Sequence, residues 1–361
     1  MRADTAIGQY TEYFGPCRRL DFTSMLLKTD THKRVRYTSC RHHTQMPVPR
    51  FTIVIPLHRS KAVLPMTLNS ILTLENSDWE CILVDDGSPD DTIDFARQCT
   101  QHDDRFAVFS LPDAHGSACP ARNLGAANAH PQSQFIMFLD HDDLLKPTAL
   151  TDMGQLLDAN PTLVAVHGIA DIHDAYDPDY RIGNERWIYR NGNIEALHPS
   201  EPTTFESMAT HPHIPAPGTV LCRRAALPQE PLFPNGKLGQ LDYDGWLHLL
   251  NIGPFLFSEQ VVLSKRQIPG NMVSNLKRIR ERILGTRIRT AMRPDISAER
   301  RHYMFRAAAA TELRDATIYL RAMLRNRDPR NIRYAASRIL MALQLRYFST
   351  KLALLGTGLA E

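Results

Sequence analysis

Three carboxylates within four residues follow a short apolar run in this chain. The run is residues 135–139 (FIMFL), and the carboxylates are Asp140, Asp142 and Asp143. A short, bounded apolar run is typical of a buried strand, and ligands of open α/β sheets bind beyond the carboxyl ends of the strands. Clustered carboxylates repel one another unless a cation joins them. A divalent metal that carries a diphosphate is therefore one interpretation of the cluster, and a solvated turn or helix cap is the other.

The elements that must position this cluster alternate along the chain. The sequence predicts strands over residues 51–56, 79–84, 106–111, 135–139, 164–168 and 219–222. It predicts helices over residues 64–74, 92–99, 118–129, 148–157 and 241–252. This alternation is typical of βαβ units and a largely parallel sheet. Residues 171–217 are polar and proline-rich without a periodic pattern, and the sequence from Asn275 onward is helical and rich in arginine.

Composition and charge divide the chain into three regions. It has 361 residues, 43% hydrophobic and 22% charged, which is typical of a globular protein. The net charge is −14 over residues 51–276 and +12 over residues 277–361. We predict an N-terminal extension at 1–47, an α/β domain at 48–275 and a basic helical region at 276–361. A basic tail favours anionic membranes or nucleic acid, or it is the solvated face of ordinary helices.

The sequence shows no pattern typical of a membrane span, a signal peptide or a cysteine metal site. No apolar run approaches the ~18 residues that span a bilayer, and the first 45 residues contain no signal-peptide core. The six cysteines show no metal-ligand spacing. We therefore expect a cytoplasmic protein, with contact to the inner face of the membrane as an option. Met46 directly precedes the first strong strand and is an alternative start to Met1.

Six segments arrive in one order and carry a family resemblance. They are residues 52–58 (TIVIPLH), 83–92 (LVDDGSPDDT), 121–125 (ARNLG), 140–143 (DHDD), 222–227 (CRRAAL) and 242–247 (DYDGWL). In this order they resemble family 2 glycosyltransferases, over about residues 50–275. The resemblance implies a GT-A, Rossmann-like fold with a mixed, mainly parallel sheet flanked by helices, followed here by a C-terminal helical extension.

The resemblance also implies a donor site. Its nucleotide-sugar-binding residues are Pro56, Asp86, Arg122, Asp140 and Asp142, and its metal ligands are Asp142 and Asp143, with Mn²⁺ or Mg²⁺ as the cofactor. Asp86 is expected to contact the base; its alternative role is an Asx-turn or helix cap, which also suits Asp85. The alternative for Arg122 is a surface salt bridge. Alternation along an extended chain is expected to put Asp140 and Asp142 on one side, with His141 packed away from the metal.

Asp242 is the candidate catalytic base, because sugar transfer requires an acceptor hydroxyl to lose its proton. Asp244 is its nearest rival. Two positions depart from the family pattern. Leu241 stands where the family usually has Glu, and Ile268 stands where it often has a His; Lys265, Arg266 and Asn271 are candidates to compensate for that His.

Two further features are weaker. His211-Pro212-His213 is interpreted as a loop, since an H-x-H pair alone is a weak metal signal. The apolar residues among arginines at 338–355 form a basic amphipathic pattern that either packs on protein or lies on a membrane surface.

The leading hypothesis is an inverting, metal-dependent glycosyltransferase of polysaccharide or glycoconjugate biosynthesis. Its donor is a nucleotide-diphospho-sugar, with a UDP-sugar as the first choice, and its acceptor is a glycan or glycolipid. Acceptor specificity is expected in residues 171–217 and the C-terminal helices. The alternative is a catalytically silent nucleotide-sugar-binding or scaffold protein, to which Leu241 and Ile268 lend support. No nucleic-acid partner is expected, because the body is acidic and lacks an aromatic-basic motif.

Overall fold

The structure, a computed structural model, describes residues 47–174, 202–210, 212–234, 241–267, 276–326 and 330–356. These residues fall into two compact units. The first contains the described residues through Thr290, and the second contains those from Ala291 onward. The predicted N-terminal extension, apart from Pro47, and the alternative start at Met46 lie outside the described residues. The domain boundary at residue 275 stays a prediction.

The first unit alternates strands and helices along most of its length. Its strands are β1 (Phe51–Leu57), β2 (Trp79–Asp86), β3 (Phe106–Leu111), β4 (Phe135–Phe138), β5 (Leu144–Leu145), β6 (Ala165–Asp174), β7 (Pro202–Thr203), β8 (Val220–Arg223) and β9 (Phe255–Gln267). Its helices are α1 (Leu64–Leu72), α2 (Thr92–Thr100), α3 (Cys119–Ala127), α4 (Ala149–Ala159), α5 (Phe205–Thr210), α6 (Leu241–Ile252) and α7 (Leu276–Ala291), whose last residue opens the second unit.

The described strands form one sheet in the order β3-β2-β1-β4-β8-β6-β9-β5, with β7 added on β9. β3, β2, β1 and β4 run parallel to one another, as do β6 and β9. β8 is antiparallel to both of its neighbours, and the two-residue strands β5 and β7 are antiparallel to β9. The longest pairings are parallel, so the predicted mixed, mainly parallel sheet is confirmed.

The strands at the centre of the sheet are continuous apolar runs because helices cover both faces. Every residue of β1, β2 and β4 is buried. The main hydrophobic core joins these strands to α1 and α4 through Leu68, Ile71 and Leu150. Burial of this kind fixes the register of the parallel strands, and with it the edge at which their carboxyl ends meet.

Pro56 lies inside β1, whereas the sequence predicts that it stops the strand. The carbonyl of Val54 points toward β4, since it accepts from Leu139 N (2.9 Å). Alternation along the strand turns the backbone of Pro56 to the same side. β4 pairs with β1 only as far as Val54, so the proline removes no ladder hydrogen bond there. Its carbonyl oxygen is left to accept from Nδ1 of His141 (3.2 Å).

β9 is the main element that the sequence does not predict. It pairs in parallel with β6, and this pairing continues to Asp174, with register shifts around Ile169. Part of the stretch from 171 to 217 is therefore regular, since it also contains β7 and α5. The expectation of an unpatterned segment is wrong for those residues, while residues 175–201 and His211 lie outside the description.

The second unit is a pair of long antiparallel helices, α8 (Ala298–Asn326) and α9 (Arg330–Gly356). Three contacts set their register. Ser349 Oγ lies 2.6 Å from His302 Nδ1, Arg338 Nη1 donates to Glu312 (2.9 Å), and the rings of Tyr319 and Tyr334 lie 5.4 Å apart. Among the described helices, none combines the length and the apolar character needed to cross a bilayer.

Candidate functional site

The acidic cluster forms a tight turn immediately after β4. Asp143 N donates to the carbonyl oxygen of Asp140 (3.1 Å). One carboxylate oxygen from each of Asp140, Asp142 and Asp143 lies within 4.8 Å of the others. The expectation that an extended chain would align Asp140 and Asp142 is wrong. A turn brings these two together and adds Asp143 to the cluster.

Arg266 of β9 binds the backbone and a side chain of this turn. The side chain is 2% exposed, and its Nε donates to the carbonyl oxygen of Asp142. Its backbone N donates to Asp143 Oδ1 (3.2 Å), and its Nη2 donates to Val63 O and Thr67 Oγ1 (both 3.0 Å). The sequence suggested Arg266 only as a substitute for a missing His. In the structure it fastens the aspartate turn to the start of α1.

Positive charges face the cluster from two sides. Lys265 Nζ lies 3.5 Å from Asp143 Oδ2, and Arg122 Nη2 donates to Asp140 Oδ1. Burial raises the pKa of Asp143 to about 7, although Lys265 opposes the shift. Burial acts in the same direction on Asp140, but Arg122 and Lys265 outweigh it and leave the pKa of that carboxyl below its ordinary value. The turn therefore combines negative charges with fixed cations, as a diphosphate site requires.

The donor atoms of the turn fit a divalent cation. All three are carboxylate oxygens, which Mg²⁺ and Mn²⁺ prefer. Asp143 Oδ2 is buried and receives no hydrogen bond, and the cation beside it is Lys265, 3.5 Å away. The predicted metal ligands Asp142 and Asp143 both belong to this set, together with Asp140, which was predicted only as a nucleotide-sugar contact. His141 is not part of this set, and its Nδ1 lies 3.2 Å from the carbonyl oxygen of Pro56.

Asp86 ends β2 and is 4% exposed. Its carboxylate accepts from His115 N (3.1 and 3.2 Å) and from His115 Nδ1 (2.7 Å). His58 Nδ1 donates to the Asp86 carbonyl oxygen (3.2 Å), which ties the ends of β1 and β2 together. The structure therefore places the predicted base-contacting carboxylate at the sheet edge, paired with a histidine that sequence reasoning missed.

Asp85 plays the turn-forming role that was the alternative for its neighbour. Its carboxylate accepts from Ser88 N (2.9 Å) and from Ser88 Oγ. Gly87 between them has φ +58, and a Cβ added there would lie 2.5 Å from Ala114 N. Only glycine fits this position. The loop carrying His115 is thus able to approach Asp86 closely.

Arg122 is a buried group on α3, 5% exposed, so the surface salt bridge considered from the sequence is excluded. Its guanidinium also lies over the ring of Phe233, 5.5 Å from the centroid. Its Nε is buried without a hydrogen-bond partner. Burial acts to lower the pKa of Arg122, but the charges of Asp140 and Asp242 leave it above its ordinary value. Arg122 therefore joins the aspartate turn to the ring of Phe233.

Phe233 is a fully buried ring that sequence reasoning missed. Asn123 brackets its backbone, donating from Nδ2 to Phe233 O (2.7 Å) and accepting from Phe233 N (3.1 Å). The ring packs edge-on against Phe138 at the end of β4 (4.8 Å between centroids) and against Trp246 of α6 (6.0 Å). A Cβ on Gly245 would lie 2.6 Å from this ring. Phe233 thus fills the space between the aspartate turn, α3 and α6.

Asp242 lies in the first turn of α6 and is partly exposed. Its Oδ1 accepts from Tyr243 N (2.9 Å). Besides acting on Arg122, its negative charge also acts to raise the pKa of Lys265. The candidate base therefore shares the electrostatic surroundings of both cations that face the aspartate turn.

Asp244 has a different environment from Asp242. It is 7% exposed, and its Oδ2 accepts from Thr286 Oγ1 (2.8 Å) and Arg289 Nη2 (2.6 Å) of α7. Arg287 Nη2 donates to Thr210 O of α5 (2.8 Å). These contacts fasten α7 to α5 and α6. Asp244 is engaged in this clamp, and its direction differs from that of Asp242.

The clamp leads to a prediction about stability and pH. Burial raises the pKa of Asp244 to about 6, against the opposing charge of Arg289. In an unfolded chain an Asp titrates near 3.9. Between about pH 4 and pH 6 the folded state therefore binds the extra proton, and stability falls as pH rises. Urea titrations of the wild type and of Asp244→Asn at several pH values measure the free energy of unfolding of each. We expect the wild-type value minus the variant value to fall between about pH 4 and pH 6 and to stay constant above pH 6. If this difference instead rises with pH, the charge of Arg289 outweighs burial and lowers the pKa of Asp244.

His213 lies in a buried histidine cluster, whereas His211 is outside the described residues, so the interpretation of the H-x-H segment as a loop stays a prediction there. Nε2 of His213 lies 3.3 Å from Thr203 Oγ1, which also lies 2.8 Å from Nε2 of the buried His167. The rings of His167 and His213 are 5.6 Å apart. This cluster joins the 202–213 segment to β6.

The chain matches one family model, described as glycosyl transferase family 2, over residues 52–229. A relative from Bacillus subtilis, named putative teichuronic acid biosynthesis glycosyltransferase TuaG, is 33% identical over 102 residues, which are 28% of this chain and 39% of the relative. The chain spans under half the length of the curated relatives that it matches first.

Two solved structures share the fold. TarS 1–349 of S. aureus in complex with UDP-GlcNAc has a TM-score of 0.53 at 15% identity, covering 84% of this chain and 92% of that one. Mannosyltransferase PcManGT of Pyrobaculum calidifontis, in complex with GDP-Man and Mn²⁺, has a TM-score of 0.52 at 14% identity, covering 84% and 88%. Residues 52–229 of this chain therefore belong to glycosyl transferase family 2, and the first unit has the GT-A fold.

Proposed function

We propose that this protein is an inverting, metal-dependent glycosyltransferase. It moves a sugar from a nucleotide-diphosphate donor, with a UDP-sugar as the first choice, to a hydroxyl of a glycan or glycolipid acceptor in polysaccharide or glycoconjugate biosynthesis. The observation that carries the proposal is the aspartate turn bound to Arg122 at the end of β4, with the ring of Phe233 joining Arg122 to α6, the helix of Asp242. The TarS and PcManGT complexes, which hold UDP-GlcNAc and GDP-Man, support a nucleotide-sugar donor.

The donor half of the proposed site consists of residues from β1, β2, α3 and the turn after β4. Asp86 accepts hydrogen bonds from the base or ribose, and Pro56 lines the same edge. Asp140 faces the ribose, while Arg122 offers planar donors beside the diphosphate. Asp142 and Asp143 hold a divalent ion, which when bound neutralises charge on the leaving diphosphate.

The acceptor half centres on Asp242. Asp242 accepts the proton of the acceptor hydroxyl as the oxygen attacks the anomeric carbon. The bond to the diphosphate breaks on the opposite face of that carbon, so configuration inverts. Lys265 and Arg122 keep the departing nucleotide in place during this step.

The test is a calorimetric titration of the whole chain with UDP, GDP and dTDP, with and without Mn²⁺, followed by donor turnover with candidate glycan acceptors. We expect one nucleotide to bind in a metal-dependent manner and its sugar derivative to be consumed. Binding without turnover for any acceptor supports the silent scaffold instead. No binding of any diphosphate overturns the proposal.

A further inference from the structure

A stripe of exposed apolar side chains runs along α9. Ile332, Ile339, Leu340, Leu343 and Tyr347 are between 37% and 64% exposed. At about 100° of rotation per residue, the five side chains occupy an arc of about 100° on the helix. We call these five residues the α9 stripe. Its width is that of an amphipathic face, and water is a poor environment for it.

The opposite side of α9 already has a partner. Ala335, Ala342 and Leu345 are buried, and Arg338 and Ser349 bond to α8. The apolar content of α9 therefore divides into one face that packs within the helix pair and a second face, the α9 stripe, that faces outward. Packing against α8 therefore does not account for the apolar side chains of the α9 stripe.

Arginines border the stripe on both sides. Arg333 and Arg346 are exposed, and by helical geometry each lies about 20° beyond one edge of the stripe. Other described arginines of the second unit are exposed as well: Arg306, Arg314, Arg321, Arg325 and Arg330. Among the described acidic side chains of this unit, Glu312 and Asp315 are buried and Asp295 pairs with Arg293, while Glu299 is exposed near the start of α8.

We propose that the α9 stripe, with Arg333 and Arg346 at its edges, binds the surface of a bilayer rich in anionic phospholipids. The helix lies in the plane of the interface, with the apolar side chains below the headgroups and the arginines among them. Tyr347 suits this position because its ring is apolar and its hydroxyl is polar. This surface role goes beyond sugar transfer and does not depend on it.

Charge complementarity selects this occupant over a second copy of the chain. Two α9 stripes packed face to face would bring the arginines of both copies to the rim of one interface, and like charges there oppose association. Phospholipid phosphates supply the opposite charge at the same depth as the apolar contact. The described helices are not apolar enough to cross a membrane, so binding stays at the surface.

The experiment is co-sedimentation of the full chain with vesicles of phosphatidylcholine alone and of an equimolar mixture with phosphatidylglycerol. We expect binding to the mixed vesicles only, weakening as salt is raised. Arg333→Gln with Arg346→Gln should weaken binding about fivefold for each arginine. Leu340→Gln with Leu343→Gln should weaken it about tenfold or more.

Matched controls are Ile252→Gln and Arg97→Gln, which remove an exposed apolar and an exposed basic side chain from the first unit. Both should bind as the wild type does. Equal sedimentation of the wild type with the two vesicle types, or full binding by the α9 variants, overturns the proposal. So does a dimer in light scattering that Leu340→Gln with Leu343→Gln converts to a monomer, since the stripe is then covered by a second copy. Should the leucine variant fail to fold by circular dichroism, the arginine pair alone decides.

Discussion

Asp142→Ala is expected to remove the metal dependence of nucleotide binding, with a loss of at least about 100-fold in affinity when Mn²⁺ is present. Asp140 is already bound to Arg122, and Asp143 already faces Lys265. Asp142 contributes the third carboxylate oxygen of the turn, within 4.8 Å of the other two. Calorimetric titration of the preferred nucleoside diphosphate, with and without Mn²⁺, measures the effect.

The fold of this variant should be intact, because Arg266 holds the turn through the backbone carbonyl of Asp142 and not through its side chain. An unchanged melting temperature checks this point. Asp94→Ala is the matched control, since Asp94 is an exposed carboxylate on α2. Metal-dependent binding that survives in Asp142→Ala contradicts the assignment of the ion to this turn.

Asp242→Asn is expected to lower kcat by about 10²–10⁴-fold while leaving the KM for the donor nearly unchanged. The amide has the shape of the carboxylate but cannot take a proton from the acceptor hydroxyl. Steady-state kinetics with donor and acceptor varied separately measures the two constants. Titration with the nucleoside diphosphate should show wild-type affinity.

Asp244→Asn is the matched control for that experiment. It makes the same chemical change two residues further along α6, at a carboxylate bound to Thr286 and Arg289. We expect kcat close to the wild-type value. The opposite pattern, with kcat lost in a folded Asp244→Asn protein and kept in Asp242→Asn, would make Asp244 the base.

Local sequence patterns predict most of this fold. The buried runs at 79–84 and 135–139 become β2 and β4, and the helix predicted at 241–252 has those bounds in the structure. Parallel strands that are covered on both faces are apolar throughout, so each can be recognised from its own residues before its partner strands are known. The motifs at Asp86 and at the aspartate turn could be found for a related reason. They follow directly on those strands, and strand ends at one edge collect a ligand site.

The parts that could not be predicted depend on contacts between distant residues. Arg266 lies 124 residues from the carbonyl that it binds, and nothing near it in the sequence indicates that partner. β9 is recognised only through its pairing with β6, which includes register shifts. His115 likewise reaches Asp86 because Gly87 lets two loops approach closely. Propensity and periodicity describe neighbours along the chain, and none of these contacts is local.

The position of Phe233 has a consequence for how this fold can diversify. One ring contacts Phe138 before the aspartate turn, Arg122 on α3 and Trp246 on α6, with its backbone bracketed by Asn123. A change of volume at residue 233 is felt at once by the groups proposed for the donor and by the helix proposed for the acceptor. With the donor and acceptor roles proposed above, we expect substitutions on the two sides of this ring to be non-additive in their effects on kcat/KM, because both sides share one packed contact.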